Sequence, residues 1–311
     1  MSQGVVMGGF VEKIEEDVYL VDVAYTEAAQ TYASYILVGE NTLVIDPGPA
    51  HFVNNLIEAL EIIGVDKKDV KYIALTHIHI DHGGSAGTLL KELPNAKVLV
   101  HPLGEKHLID PTALWEGTKK VLKEVAEELG RPEPIPQNKI ITIKDYQIIT
   151  VSENKDLCVL AINTPGHASH HVSYFIDRGE IIFAGDSAGL FIGGHLAPTT
   201  PPPFRLEPAL ESLQKMLLLK PKKVAFAHFG VHSDAPKLLL QYYGQLVLWR
   251  DCLKKLLEEG WKRDELEEIL MKIDSEAKAF QEAVSNNKFM KDALKRSLEG
   301  FLDYLNKSKE S

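Results

Sequence analysis

Cysteine is scarce in this chain, and the two that occur, Cys158 and Cys252, stand far apart in 311 residues. That spacing excludes a disulfide-stapled scaffold and leaves two buried thiols, as expected in a reducing compartment. Long apolar runs are missing too, so no segment reaches the roughly 20 residues needed to cross a bilayer. Met1 to Phe10 contains no basic residue and no apolar stretch of the kind that directs export. Basic residues are in deficit: 34 Lys and Arg against 44 Asp and Glu leave a formal net charge of −10. A deficit of that size argues against sequence-independent contact with a phosphate backbone. The expectations are a cytoplasmic protein acting on a small molecule, without nucleic-acid or membrane partners.

What the chain does have is an ordinary globular composition and 12 unevenly placed histidines. The first half alternates short β-type runs with helical ones. Val18 to Val23, Tyr32 to Val38 and Thr42 to Ile45 read as strands, and Asp46-Pro47-Gly48-Pro49 stops the third. Val53, Leu56, Ile57, Leu60 and Ile63 fall at helical spacing and are closed by Gly64. A strand at Lys71 to Thr76 precedes a helix at Ser85 to Leu93 and a strand at Lys97 to His101. One helix is expected from Trp115 to Gly130, followed by strands at Ile140–Ile143, Gln147–Val151, Leu157–Asn163, His171–Ile176 and Ile181–Ala184. Ala197 to Phe204, with four prolines, reads as a stiff loop; a helix around Glu207–Leu219 and a strand at Lys223–Ala227 follow. Beyond about residue 235 only helical patterns occur, among them the stripe Leu239, Tyr242, Leu246, Trp249, Leu253 and Leu256. The expected organisation is a catalytic domain over residues 1–235 and a helical C-terminal extension over 236–311. The stripe is heptad-like, so a homodimer through this region is one reading, but packing against the catalytic domain is the favoured one.

Thr76-His77-Ile78-His79-Ile80-Asp81-His82 carries the chemistry. Four potential metal ligands lie within six residues, directly after a strand. Side chains alternate on extended backbone, so His77 and His79 can project to one side. Imidazole and carboxylate donors suit zinc first, with iron or manganese as alternatives. Three further candidates each follow a strand-like run: His167 in Thr164-Pro165-Gly166-His167, Asp186 after Ala184-Gly185, and His228 after Ala227.

This set resembles the metallo-β-lactamase superfamily, in its dinuclear branch related to glyoxalase II. The matching motifs are His77-x-His79-x-Asp81-His82, Pro165-Gly166-His167, Gly185-Asp186 and the isolated His228, in the family's order across residues 15–235. The resemblance implies an α/β fold, an αββα four-layer sandwich. It further implies two divalent metal ions, one held by His77, His79 and His167, the other by Asp81, His82 and His228, with Asp186 bridging them. Such ions, roughly 3.5–4 Å apart, share a hydroxide that attacks a carbonyl or phosphoryl centre. Asp81 is the catalytic residue implied, orienting that nucleophile or relaying its proton. Asp46 in Val44-Ile45-Asp46-Pro47-Gly48 matches another family element and reads either as support for a ligand or as simple turn chemistry. His171 reads either as a supporting hydrogen-bond partner or as packing; His170 reads as a surface residue.

Departures from individual branches narrow the reaction. Zinc β-lactamases usually lack the bridging carboxylate, flavodiiron proteins carry Glu at the position of His79, and RNA-processing members usually have Gly at that of Ile80. N-acyl homoserine lactonases usually have Tyr three residues after the bridging Asp, where this chain has Gly189. The expected function is therefore hydrolysis of an ester, thioester or lactone. A mononuclear iron enzyme like the persulfide dioxygenases and a non-catalytic metal-binding scaffold are the alternatives. The apolar loop Gly189 to Phe204 is expected to wall the substrate pocket with Leu190, Phe191, Leu196 and Phe204, which favours an uncharged or weakly charged acyl substrate.

Overall fold

In the computed structural model, which describes residues 5–307, two β-sheets lie face to face with helices on their outer sides. The first sheet has eight strands in sequence order: β1 Val5–Met7, β2 Val11–Glu15, β3 Val18–Asp22, β4 Ala33–Leu37, β5 Thr42–Ile45, β6 Val70–Ala74, β7 Lys97–Val100 and β8 Ile140–Thr142. Pairing is antiparallel from β1 to β5 and parallel from β5 to β8. The second sheet contains β9 Gln147–Ser152, β10 Leu157–Asn163, β11 Val172–Ile176, β12 Ile181–Gly185, β15 Lys223–Phe226 and β16 Gly230–Ser233. Its spatial order is β16-β15-β12-β11-β10-β9, with a parallel pair only at β12 and β15.

The layering follows from strand alternation. In β5, Leu43 and Ile45 enter the core between the sheets while Val44 faces the helices; in β12, Ile181 and Phe183 do the first and Ile182 and Ala184 the second. Strands with both faces covered read as continuous apolar runs, as these do. On the first sheet's outer face sit α1 Val53–Ile63, α2 Ile80–Gly83 and α3 Ala86–Glu92, followed in the chain by α4 Glu105–Ile109, α5 Thr112–Leu122 and α6 Glu124–Leu129. On the second lie α7 Leu206–Leu218 and the terminal helices α8 Ala235–Glu258, α9 Arg263–Ile273, α10 Ser275–Ala283 and α11 Ala293–Lys307. This is the four-layer arrangement expected. No helix among the described residues is long and apolar enough to cross a membrane.

Three expectations need correction. The single helix at Trp115–Gly130 is two, α5 and α6, broken at Lys123, whose backbone turns to φ 53°. The break lets Leu122, Val125 and Leu129 face one cavity, a requirement that helical periodicity does not express. The Gly189–Phe204 segment is not all loop: β13 Leu190–Ile192 and β14 His195–Ala197 form a hairpin around Gly193-Gly194, a two-residue turn that a Gly-Gly pair announces. Strands β1, β2 and β16 were not expected; β1 and β16 lie at sheet edges, where the alternation signal is weak.

The stripe on α8 is internal. Leu239, Tyr242, Leu246, Trp249, Leu253 and Leu256 are buried in the same core as Leu213 of α7 and Phe301 of α11. Buried Asp274 fixes this helical layer by accepting from Trp249 Nε1 at 2.8 Å, Gln245 Nε2 at 2.9 Å and, as the cap of α10, Ala277 N at 3.0 Å.

Candidate metal centre

The seven ligand candidates converge at one edge of the two sheets, where β5, β6, β10, β12 and β15 end. His77 follows β6, and His79 caps α2, a single turn that carries Asp81 and His82. His167 lies beyond β10, Asp186 directly after β12, and His228 two residues after β15. Gly185 delivers Asp186 into this space. Its φ is 53°, and a Cβ there would stand 2.6 Å from His171 Nε2 and 2.8 Å from Thr76 Cβ, so only glycine fits.

The donor atoms fall into two groups. In one, His79 Nδ1 lies 2.8 Å from His77 Nε2 and 3.1 Å from His167 Nε2. In the other, His82 Nε2 and His228 Nε2 are 3.2 Å apart, with Asp81 Oδ2 at 3.9 and 3.7 Å from them. Asp186 spans both groups. Its Oδ2 is 3.3 Å from His167 Nε2, and its Oδ1 is 3.5 Å from both His82 Nε2 and His228 Nε2.

The outer nitrogens of four of these five rings are anchored, which turns the other nitrogen inward. His82 Nδ1 meets Asp46 Oδ2 at 2.9 Å, His167 Nδ1 meets the Thr199 carbonyl at 2.8 Å, and His228 Nδ1 meets the Thr31 carbonyl at 2.8 Å. His77 Nδ1 lies 3.1 Å from Thr76 Oγ1, which itself donates to Asp46 Oδ2 at 2.6 Å. Asp46 also accepts from the Thr76 backbone at 2.7 Å. One buried carboxylate thus orients a ligand from each group, and the supporting role is the one Asp46 takes.

The donor set fits divalent cations on its chemistry. The other nitrogen of each anchored ring points into the cluster, the presentation a cation needs. Asp186 Oδ1 is buried without a hydrogen-bond partner, a costly state for an ionised oxygen unless a cation meets it. The charge states agree. Burial and neighbouring imidazoles push His77 far down and His79 down to about 3, while His228 is lowered mainly by burial; all three are neutral donors. Burial would raise Asp186, but His167, His82 and His228 outweigh it and hold the carboxyl low. His82 is the exception: against burial, Asp186, Asp81 and Asp46 raise it to about 10. Without a cation it carries the proton that a metal would displace.

Residues that the motif did not single out complete the surroundings. His171 is fully buried and accepts from the Asp186 backbone at 3.1 Å, while its Nδ1 lies 2.9 Å from both Thr164 Oγ1 and Ser187 Oγ. His170 is not a surface residue: it is half-buried 6.2 Å from the His79 ring, and burial lowers it to about 4. Thr76, Thr164 and Thr199 are each adjacent to a motif or on the loop after it, the one signal that could have marked them. His51, His101, His107, His195 and His232 do not join the cluster.

A cavity of about 380 Å³ opens over His79, Asp81, His167, Asp186 and His228. Its walls are Leu114, Val121 and Leu122 of α5 on one side and Met290, Ala293 and Arg296 near α11 on another. Of the four wall residues expected from the Gly189–Phe204 segment, only Leu190 reaches it. Phe191 stacks on Phe226 at 5.3 Å, Leu196 is fully buried, and Phe204 packs on Phe301 at 4.9 Å. The segment contributes Thr199, Pro201 and Pro202 instead.

Comparison with known proteins agrees with this geometry. Residues 26–228 match the model of the metallo-beta-lactamase superfamily. The metallo-beta-lactamase fold-containing protein ST1585 of Sulfurisphaera tokodaii is 37% identical over 218 residues, 68% of this chain and 77% of that protein. Its crystal structure superposes with a TM-score of 0.64, covering 73% of this chain and 85% of that one. The metallo-beta-lactamase family protein TTHA1429 of Thermus thermophilus shares the fold over 96% of this chain and 95% of its own, at 21% identity and a TM-score of 0.69.

Proposed function

The chain belongs to the metallo-β-lactamase superfamily, and on that premise we propose that it is a metal-dependent hydrolase of an ester, thioester or lactone. The observation that supports this best is Asp186, one carboxylate facing a histidine group on each side, with a buried oxygen left unpaired. His77, His79 and His167 would hold one divalent ion and Asp81, His82 and His228 a second, with Asp186 shared. Such ions supply Lewis acidity and bring the pKa of water from near 16 toward about 7.

The chain's own contribution is orientation and an apolar wall. Asp46, Thr199 and Thr31 fix the ring planes before substrate arrives, so no reorganisation is needed during reaction. Asp81 lines the cavity with about a quarter of its side chain exposed. Its Oδ2 faces His82 and His228, and the other carboxylate oxygen is free to accept a proton from the attacking water. Half-buried Leu114 and Leu122, exposed Val121 and buried Leu190 offer an apolar bed for an acyl group, and the cavity is within the size range of small-molecule sites.

Metal analysis and a substrate screen test this reading. Purified protein is expected to hold about two zinc, manganese or iron ions per chain and to hydrolyse members of a panel of acyl thioesters, esters and lactones. A single iron per chain with oxygen consumption would overturn it in favour of a dioxygenase. Full metal occupancy with no turnover across the panel would favour a scaffold.

A further inference from the structure

An acyl pocket has no need of a cation in its wall, yet this one has Arg296. Among the residues lining the cavity it alone carries a permanent positive charge, and it is half-buried. A guanidinium presents five N–H donors in a rigid fork. Of these, Nη2 makes one long bond of 3.4 Å to the Phe289 carbonyl, and Arg296 forms no ion pair among the described residues. Asp81 and Asp292 feel its charge without contacting it. Asp81 is already faced by His82 and His228.

Tyr32 lies in the same cavity, its ring edge-on to His228 at 5.4 Å and to Phe289 at 5.7 Å. Its hydroxyl has no hydrogen-bond partner among the described residues, and Tyr32 and Arg296 act on each other electrostatically. A guanidinium with one long hydrogen bond and a hydroxyl with none thus border one space beside the ligand cluster.

We infer that Arg296 and the Tyr32 hydroxyl form an anchor for a carboxylate of the substrate, which makes the substrate class an ester, thioester or lactone bearing a free carboxylate and an apolar acyl chain. This rests on the hydrolase reading above. A planar monoanion matches a single guanidinium in a two-point contact. A phosphate dianion would bring a second negative charge toward Asp81 with no second cation on the cavity wall to meet it. The apolar bed between α5 and α6 receives the remainder of the acyl chain. Of the uncharged or weakly charged substrates suggested by the Gly189–Phe204 segment, Arg296 selects the charged kind, and three of that segment's four apolar residues face elsewhere.

A matched ester pair reads this out: p-nitrophenyl octanoate and the mono-p-nitrophenyl ester of suberic acid, equal in chain length and differing by one terminal carboxylate. With zinc-loaded protein, kcat/KM is expected to favour the suberate ester by about 10-fold or more, as one charge-assisted contact supplies. Arg296→Gln should abolish that preference by raising KM for the suberate ester about 10–100-fold while leaving the octanoate ester within twofold. Arg296→Lys should fall between, and thermal melts of both variants should match the native protein. Equal kcat/KM for the two esters in the native protein, or an equal loss on both in Arg296→Gln, would overturn the anchor. If neither ester turns over, calorimetry on metal-free protein separates the two ideas. Octanoate binding at least about tenfold tighter than 1-octanol, lost in Arg296→Gln, keeps the anchor while the hydrolase reading falls; equal binding refutes the anchor itself.

Discussion

Asp46→Asn changes one atom and inverts the logic of two ligands. Asp46 Oδ2 accepts from Thr76 Oγ1 at 2.6 Å and meets His82 Nδ1 at 2.9 Å, while Oδ1 accepts from the Thr76 backbone at 2.7 Å. An asparagine keeping its oxygen on the backbone N–H must turn its amide nitrogen toward His82 and Thr76. His82 Nδ1 can then only accept, so the ring's proton moves to Nε2, the atom that faces Asp186 and His228. The Thr76 hydroxyl, no longer committed to Asp46, is free to donate to His77 Nδ1 and shift that ring's proton to Nε2 as well. The opposite amide orientation sets an NH₂ against the Thr76 N–H, leaving a buried donor unpaired at a cost of about 1–3 kcal/mol.

The fold should tolerate the change, because Asp46 sits at φ 49° and Asn accepts the left-handed region as readily as Asp. Loss of an outer partner typically weakens metal affinity about 10–100-fold, or about 1.4–2.8 kcal/mol. Zinc competition against a chromogenic chelator would measure it, with thermal melts of the chelated protein as the control for folding. Native zinc affinity in Asp46→Asn, with an unchanged melt, would refute the argument that Asp46 sets the tautomers.

Asp186→Ala should remove about half the bound metal and lower hydrolysis by at least about 10²-fold, the size typical of losing a preorganised charged group; native rates across the substrate panel would show that the shared carboxylate is not needed. Burial and His167 hold His79 at about 3 against an ordinary 6.5, so the chelated protein should lose stability as pH falls from about 6.5 toward about 3, where the unfolded chain takes up the proton. His82, raised to about 10 by its three carboxylates, contributes stability below about 6.5 that is lost as pH climbs toward about 10; zinc titrated near pH 8 in buffers of different ionisation enthalpy should release at least about one proton per chain. Gly300→Ala should weaken zinc binding and melt early, since a Cβ there would stand 1.6 Å from the Thr200 carbonyl oxygen.

The convergence of the seven ligand candidates was legible because its chemistry is local. A ligand at a strand end needs only the strand's apolar run and the residue after it, and His77, His167, Asp186 and His228 each follow such a run. Asp46 was half-legible, since an Asp-Pro-Gly turn looks the same whether or not the carboxylate meets a histidine. The pocket was not legible. Apolar content marked Phe191, Leu196 and Phe204 as wall residues, but composition does not say which face of a segment is covered: the hairpin buries Leu196 and turns half-buried Phe191 onto Phe226, and Phe204 packs on Phe301 beyond it. Arg296 is surrounded in sequence by lysines and an amphipathic pattern that fit a solvated helix equally well. Only the packing of α11 over the ligand cluster sets it apart.

That packing makes the terminal helices part of the centre. Ser297 Oγ of α11 donates to the Pro198 carbonyl at 2.7 Å and accepts from Thr200 N at 3.2 Å, while Thr200 Oγ1 donates to the Ser297 carbonyl at 2.9 Å. Between those two anchored residues lies Thr199, whose carbonyl fixes His167 Nδ1 and whose hydroxyl reaches Asp186 Oδ2 at 3.4 Å. Thr199 N is in turn 3.4 Å from the Tyr242 hydroxyl of α8. Helices α8 and α11 therefore grip a proline-stiffened loop that aims one ligand of the first group and touches the shared carboxylate. The Gly300 substitution pushes on this grip from a residue that contacts neither ligand. If zinc affinity falls in step with stability there, while Arg296→Gln on the same helix leaves zinc affinity alone, α11 serves the site twice: once as a brace for His167 and once as the wall that meets the substrate.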